Sequence, residues 1–344
     1  MSRDARGVLL RAWLDRLFPR QEIGIEPASA DASFRRYFRV TLAGGETRIV
    51  MDAPPGREDC RPFLRVARLF RDAGAHVPEV FAEDPEQGFL LLSDLGEATY
   101  LDALGADSAP TLYRDANAAL IAIQRASRPG VLPEYDRALL ARELALFPDW
   151  YLARHLGLTL EADQATALTG VFEALIANTL AQPKVFVHRD YHSRNLMAVD
   201  GAWPENPGIL DFQDAVHGPI TYDPVSLYRD AYIVWEEERE LDFVIRYWAA
   251  ARRAGLPVDA DFDAFYRDYE WMGAQRQLKV LGIFARLFHR DGKDAYLKDM
   301  PRVMAHLRRT SRRYRALAPL ARLLDQLDKH EAQTSPTFEP LAKQ

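Results

Sequence analysis

Hydrophobic residues recur at helical spacing at Val8, Leu9, Trp13, Leu14 and Leu17, so the chain is expected to open with an amphipathic helix that ends at Pro19. The period then shortens: residues 28–40, a turn at Gly44-Gly45 and residues 47–51 predict strand, turn and strand. Phe63, Val66, Ala67, Leu69 and Phe70 restore helical spacing over 58–73, stopped by Gly74. Residues 77–82 and 88–92 predict two more strands. From residue 101 onward helices dominate, over 111–125, 137–156, 161–180, 237–254, 261–290 and 293–327, and residues 331–344 lose all apolar period.

One stretch interrupts that helical half. Val185, Phe186 and Val187 read as a buried strand, which makes His188 to Arg194 the loop leaving its end. Residues 195–199 read as the next strand; Asp200-Gly201 and the Pro-rich 203–208 then reverse the chain into Ile209-Leu210. This hairpin is expected to bring Asp190, Asn195 and Asp211 together.

Phosphoryl transfer from a nucleotide needs a carboxylate to orient and deprotonate the attacking hydroxyl, and oxygen ligands for the magnesium that neutralises the phosphates. Asp190, Asn195 and Asp211 supply those groups. Asp and Asn cap turns in all proteins, so neither type alone says much. The ordered set, His188-x-Asp190-x-x-x-x-Asn195 followed by Asp211-Phe212 with strands on each side, points to a kinase-like phosphotransfer site.

Upstream, the small residues Ala30, Ala32 and Ser33 would let backbone N–H groups approach phosphates, although no glycine-rich signature is present. Ser93-Asp94-Leu95-Gly96 breaks an apolar run before the helical half, and is the expected hinge where adenine would bond to backbone; a strand end followed by a helix cap is the other reading. Asp223 and Pro224 are expected to start a helix running through Tyr228, Tyr232 and Val234, with Asp223 as its cap. Glu236, Glu237 and Glu238 read as a solvated face.

At 344 residues the chain can bury a sizeable core and suits two lobes of one enzyme. A net charge of -6 gives no general attraction to nucleic acid. The single cysteine, Cys60, excludes an intrachain disulfide and a Cys-based zinc cluster, as expected in a reducing cytoplasm. No run approaches the ~18 apolar residues of a membrane span.

The motifs at 188–195 and 210–212, with Gly218-Pro219, Tyr222-Asp223 and the stretch 88–96, resemble the aminoglycoside phosphotransferase and choline kinase-like family. Val50-Met51-Asp52-Ala53-Pro54-Pro55 adds a likeness to that family's bacterial anomeric kinases of N-acetylmuramate and N-acetylglucosamine. The resemblance covers nearly the whole chain. It implies an α+β, bilobal protein-kinase-like fold: a small β-rich N-lobe over 1–92 that clamps the nucleotide, a hinge at 93–96, a larger helical C-lobe over 97–330 and a flexible tail over 331–344.

It further implies ATP and Mg2+ as cofactors, Asp190 as catalytic base, Asn195 and Asp211 as metal ligands, and the backbone of Ser93 and Leu95 as adenine contacts; Ser33 of the small-residue turn is the other expected nucleotide contact. His188 would brace the loop, and His192 matches a histidine common in the family's small-molecule kinases. The implied partner is a small amino sugar phosphorylated at C1 for cell-wall sugar recycling, with no nucleic acid, membrane or obligatory protein partner. An aminoglycoside, choline or fructosamine as acceptor, or a nucleotide-binding pseudokinase, are the alternatives, because fold does not determine substrate. Arg276 or Arg286 on the helix 261–290 is the candidate partner for the lactyl carboxylate of N-acetylmuramate. One departure stands out: relatives carry a lysine or arginine on the third strand to hold the α- and β-phosphates, where this chain has Met51 and Asp52. Arg36 or Arg48 is expected to substitute, or the nucleotide to sit differently.

Overall fold

The computed structural model describes residues 3–30 and 34–334. In chain order its first elements are α1 (Arg3–Leu17), β1 (Gly24–Ala30), β2 (Arg36–Thr41), β3 (Thr47–Asp52), α2 (Arg61–Asp72), β4 (Val80–Asp84), β5 (Phe89–Ser93), α3 (Tyr100–Ala103) and α4 (Ala109–Arg125). Then come α5 (Arg137–Leu146), α6 (Ala162–Ala181), β6 (Lys184–Val187), β7 (Leu196–Met197), β8 (Gly208–Ile209) and β9 (Val216–Pro219). The chain closes with α7 (Tyr222–Tyr228), α8 (Glu237–Arg253), α9 (Phe262–Asp291), α10 (Met300–Arg313) and α11 (Ala318–Thr334). Two compact units result: one takes the residues up to Ser127 with His188–Ala215, the other Arg128–Val187 with the residues from Val216 onward.

The first unit is built on an antiparallel sheet in the order β1-β2-β3-β5-β4. Its β1 includes 24–27, which the hydrophobic pattern did not predict, and the span 28–40 expected as one strand holds the end of β1 and, antiparallel to it, β2. The buried stripe of α1 begins at Leu10 and continues through Trp13 and Leu14, packing on Ile23, Val40, Val50, Phe89 and Leu91. Val8, expected on that stripe, is 65% exposed. On α2, Phe63, Leu64, Val66, Ala67 and Phe70 are buried, and Gly74 at φ +90 reverses the chain just after the helix.

At the end of β3 the Asp52 side chain is fully buried. Its two oxygens take Arg6 of α1 (Nε at 3.1 Å) and Arg36 of β2 (Nε at 3.0 Å), so this carboxylate is paired on both sides. A buried charge with two bidentate-capable partners avoids the several kcal/mol that an unpaired one would cost, roughly.

The second unit is mainly helical and is organised around α9. The helix expected over 137–156 is α5 followed by a wider π-type turn over Phe147–His155. Pro148 has no N–H to give to the carbonyl four residues back, which explains the local loss of α-helical pairing. Gly282 of α9 faces this junction so closely that a Cβ there would lie 2.4 Å from the Leu146 carbonyl carbon and oxygen. Strand β6 pairs with β9, through Lys184↔Pro219 to Val187↔Val216.

Other boundaries also differ from expectation. Helix α7 ends at Tyr228 instead of reaching Val234, and its N-cap is Thr221; Asp223 lies one residue inside, fully buried, and is not the cap. Pro224 is tolerated there because first-turn N–H groups lack intrahelical partners in any case. The helix leaves its path at Arg229, whose buried guanidinium binds Glu240 (2.5 Å) and Glu270 (3.0 Å). Burial alone would lower the Arg229 pKa, but the two carboxylates raise it well above its ordinary value. Burial likewise opposes the charge on Glu240, yet Arg229 and Arg309 hold its pKa below the usual value. The helix expected over 293–327 is broken by extended backbone at Tyr314, where the hydroxyl donates to Glu270 Oε2 at 2.6 Å. Glu237, expected on a solvated face, is ion-paired with Arg313. Helix α11 continues to Thr334, past the expected start of the tail at 331, and the rest of that tail lies outside the described residues.

Candidate active site

The loop after β6 is held by its own first histidine. His188 is fully buried; its Nε2–H donates to the Leu210 carbonyl at 2.9 Å, and its Nδ1 accepts the Asp190 N–H at 3.2 Å. One nitrogen therefore donates and the other accepts, which requires the neutral ring. Burial pushes the His188 pKa down to about 4, against a smaller upward pull from Asp190. The ring sits among aromatics, 6.2 Å from Phe70 of α2, 5.6 Å from Tyr191 and 6.5 Å from Phe212. Phe63 also meets Phe212 at 4.8 Å, so the inner face of α2 packs on both the loop and the segment that carries Asp211. Tyr191 anchors the loop further by donating its hydroxyl to the Ala116 carbonyl of α4 at 2.8 Å.

Asn195 joins the three expected residues. Its Nδ2 donates to the Asp190 carbonyl at 2.9 Å and lies 3.5 Å from Asp211 Oδ2; its amide oxygen takes no part in these two contacts. The short β7–β8 pairing, extended by the Leu210 N–H to the Asn195 carbonyl at 2.9 Å, keeps Asp211 beside it. The hairpin expectation therefore holds in its essential part, with strands of two residues each. Arg189 and Asp211 both adopt left-handed backbone, at φ 78 and φ 61. Such a conformation costs about 1–2 kcal/mol for a residue other than glycine, and persists where surrounding contacts over-determine it.

His192 is half-buried beside this set; its N–H donates to the Asp190 carbonyl at 3.0 Å and its Nε2 lies 3.5 Å from Asn195 Nδ2. Two further side chains reach Asp211 that the sequence did not single out. Gln213 Nε2 donates to Asp211 Oδ1 at 2.8 Å, and Arg35 Nη2 lies 3.4 Å from the same oxygen with its side chain 10% exposed. Arg35 sits on irregular backbone just before β2, so no periodicity marked it.

Ser33 lies outside the described residues. Ser93 closes β5, where its N–H is taken by the Glu79 carbonyl at 2.9 Å and its Oγ accepts the Glu79 N–H at 2.9 Å. Asp94 accepts Arg39 Nε at 2.7 Å and the Gly96 N–H at 3.0 Å, which keeps its pKa low despite burial. Leu95 packs on Gly208, where a Cβ would come within 2.8 Å of Leu95 Cδ1, so a larger residue there would make the Leu95 side chain shift. Ser93 and Leu95 line a cleft of about 740 Å³ with His76, Val77, Ala198 and Val199.

The expected substitutes for the strand lysine are both engaged elsewhere. Arg36 neutralises Asp52, and Arg48 pairs with Glu46 and stacks on Phe81 at 4.3 Å. In the second unit, Arg276 Nη1 and Lys279 Nζ both donate to the Tyr222 hydroxyl, at 3.2 and 2.8 Å, and Lys279 also pairs with Glu143 at 3.0 Å. Burial and the nearby Arg290 charge lower the pKa of Arg286.

Among the described residues no three His, Cys, Asp or Glu side chains cluster as a metal cage. Magnesium does not need one, since it is commonly bound through one or two carboxylates plus waters and substrate phosphates. The Asp211 carboxylate, one-third exposed, and the Asn195 amide oxygen are hard oxygen donors that fit this pattern.

The model of the phosphotransferase enzyme family matches residues 24–265. An N-acetylmuramate/N-acetylglucosamine kinase of Pseudomonas aeruginosa is 50% identical over 337 residues, covering 95% of this chain and 98% of the relative. A kinase of the same description from Neisseria meningitidis is 49% identical, covering 97% of this chain and 99% of the relative. Among solved structures, an ADP-bound aminoglycoside phosphotransferase superposes with a TM-score of 0.55 at 14% identity over 86% of this chain and 96% of its own, a likeness of fold alone.

Proposed function

The chain belongs to the phosphotransferase enzyme family, and from that membership we propose that it transfers the γ-phosphoryl of ATP to the anomeric C1 hydroxyl of N-acetylmuramate and N-acetylglucosamine. The observation that carries the reading is the 50% identity to a kinase of those sugars across 95% of the chain, with Asp190, Asn195 and Asp211 present and assembled. Asp190 orients the C1 hydroxyl and accepts its proton as the oxygen attacks phosphorus and ADP leaves. The anomeric hydroxyl is more acidic than a primary alcohol, so an aspartate that accepts the proton late suffices. Asp211 and Asn195 would hold Mg2+, which supplies charge neutralisation at the nucleotide phosphates. His188 fixes the Asp190 backbone and the Leu210 carbonyl at once, and so sets the spacing of base and metal ligand. The Ser93 N–H is committed to the Glu79 carbonyl, so the adenine contact on this segment is assigned to the Leu95 backbone. ATP as donor favours the cytoplasm as the place of reaction; no helix among the described residues is long and apolar enough to cross a membrane.

The test is ATP turnover against a panel of free amino sugars, aminoglycosides, choline and a fructosamine, followed by phosphorus NMR of the product. A sugar 1-phosphate, with phosphorus coupled to the anomeric proton, is the expected result. A 6-phosphate or preference for another acceptor class overturns the substrate assignment, and no nucleotide turnover with any acceptor indicates a pseudokinase.

A further inference from the structure

Of Met51 and Asp52, which stand where the family resemblance led a phosphate-holding lysine or arginine to be expected, Asp52 is part of a buried ion pair. Asp52 is fully buried and taken by Arg6 and Arg36, and Arg6 also donates to the Gln87 carbonyl at 2.9 Å, so these groups tie α1, β2 and β3 together. Arg48 lies at the other end of β3, opposite Ser93. A triphosphate bound to a metal at Asp211 still carries several negative charges, and a site with no cation facing them would bind nucleotide poorly.

We propose that Arg35 is the phosphate-gripping cation, and that it alternates between two anions: the Asp211 carboxylate in the nucleotide-free enzyme, and the nucleotide phosphates once a metal has taken Asp211. Arg35 Nη2 is 3.4 Å from Asp211 Oδ1, too long for a strong charge-assisted hydrogen bond, which runs about 2.7–2.9 Å, yet close enough to shield the carboxylate. Gln213 holds that same oxygen at 2.8 Å, so the carboxylate stays oriented when the guanidinium leaves. Asp211 would hold a metal that neutralises the nucleotide phosphates, and phosphates held near it would come within reach of an arginine already there. The guanidinium therefore stands in for the metal's charge before loading and moves only a short way on loading. An arginine fork also suits a diphosphate geometrically better than a lysine point charge. This inference rests on the reading of Asp211 as metal ligand.

The two-anion role makes predictions of opposite sign for one substitution. Arg35→Ala should weaken Mg·ADP binding roughly 10- to 100-fold, the range for losing a hydrogen bond between charged partners, while adenosine binding changes by less than about twofold. The same substitution should strengthen binding of Mn2+ alone roughly fivefold, because the metal no longer competes with a fixed positive charge about one residue's reach from Asp211. Arg35→Lys should recover part of the ADP affinity. Calorimetry with ADP and adenosine, and electron paramagnetic resonance of Mn2+, read these quantities without turnover, and Asp211→Asn serves as the metal control. Unchanged ADP affinity in Arg35→Ala, or an equal loss for adenosine, overturns the phosphate contact. Weaker Mn2+ binding in Arg35→Ala overturns the alternation. If the unsubstituted enzyme fails to prefer Mg·ADP over adenosine, or Asp211→Asn leaves Mn2+ binding intact, the phosphotransferase or metal-ligand reading has failed first and this inference falls with it.

Discussion

The neutral His188 should make the protein lose stability in mild acid by an amount that one substitution isolates. Burial lowers its folded pKa to about 4 from an ordinary value of 6.5. Between those two values the unfolded chain binds a proton that the folded chain refuses, so stability rises with pH in that window and is complete above about 6.5. Falling from pH 7.5 to pH 5 removes about 2 kcal/mol by this route alone, and the loss levels off near pH 4. The perturbation is His188→Gln, which keeps an N–H donor for the Leu210 carbonyl and has no charge to gain. Whatever fixed cost this variant carries from the lost acceptor for the Asp190 N–H is the same at both pH values and cancels. Urea unfolding of both proteins at pH 7.5 and pH 5 is the assay; the unsubstituted protein should lose about 2 kcal/mol more than the variant over that interval. His306, also pushed down to about 4 mainly by burial, titrates with the same sign and is present in both proteins, so it too drops out of the difference. Equal pH dependence of the two, or a His188 ring that takes up its proton above pH 6 in nitrogen NMR of the folded protein, would refute the reasoning.

Asp190→Asn should lower kcat by about 10²- to 10⁴-fold with ADP affinity nearly unchanged, as measured by turnover and calorimetry, because the hydroxyl loses its proton acceptor while the nucleotide contacts stay. Glu240→Ala should cost about 3–5 kcal/mol in urea unfolding, since it strips a buried partner from Arg229; a loss below about 1 kcal/mol would show that water or Glu270 compensates. Gly282→Ala should destabilise by about 1–3 kcal/mol or more, read as a drop in Tm, because its Cβ would meet backbone atoms of Leu146 that cannot rotate away.

The sequence alone determined which polar residues of this loop stand together and their order along the chain. His188, Asp190, Asn195 and Asp211 are bound to short turns between apolar runs, and local pairing of β7 with β8 is enough to bring the last two together. Amphipathic periods likewise marked α2, α4, α6, α8 and α9, because burial of one helix face leaves its trace every three or four residues. Long-range partners leave no such trace. The pairing of β6 with β9, the burial of Asp52 between Arg6 and Arg36, and the Arg229–Glu240–Glu270 cluster join residues far apart in sequence, and each of these charged residues looks like surface when read alone. Arg36 and Arg35 are neighbours of the same type, yet one is consumed by a buried carboxylate and the other faces Asp211. Only the tertiary structure decided between them, because the direction of a side chain on irregular backbone depends on which distant anion its charge is close enough to meet.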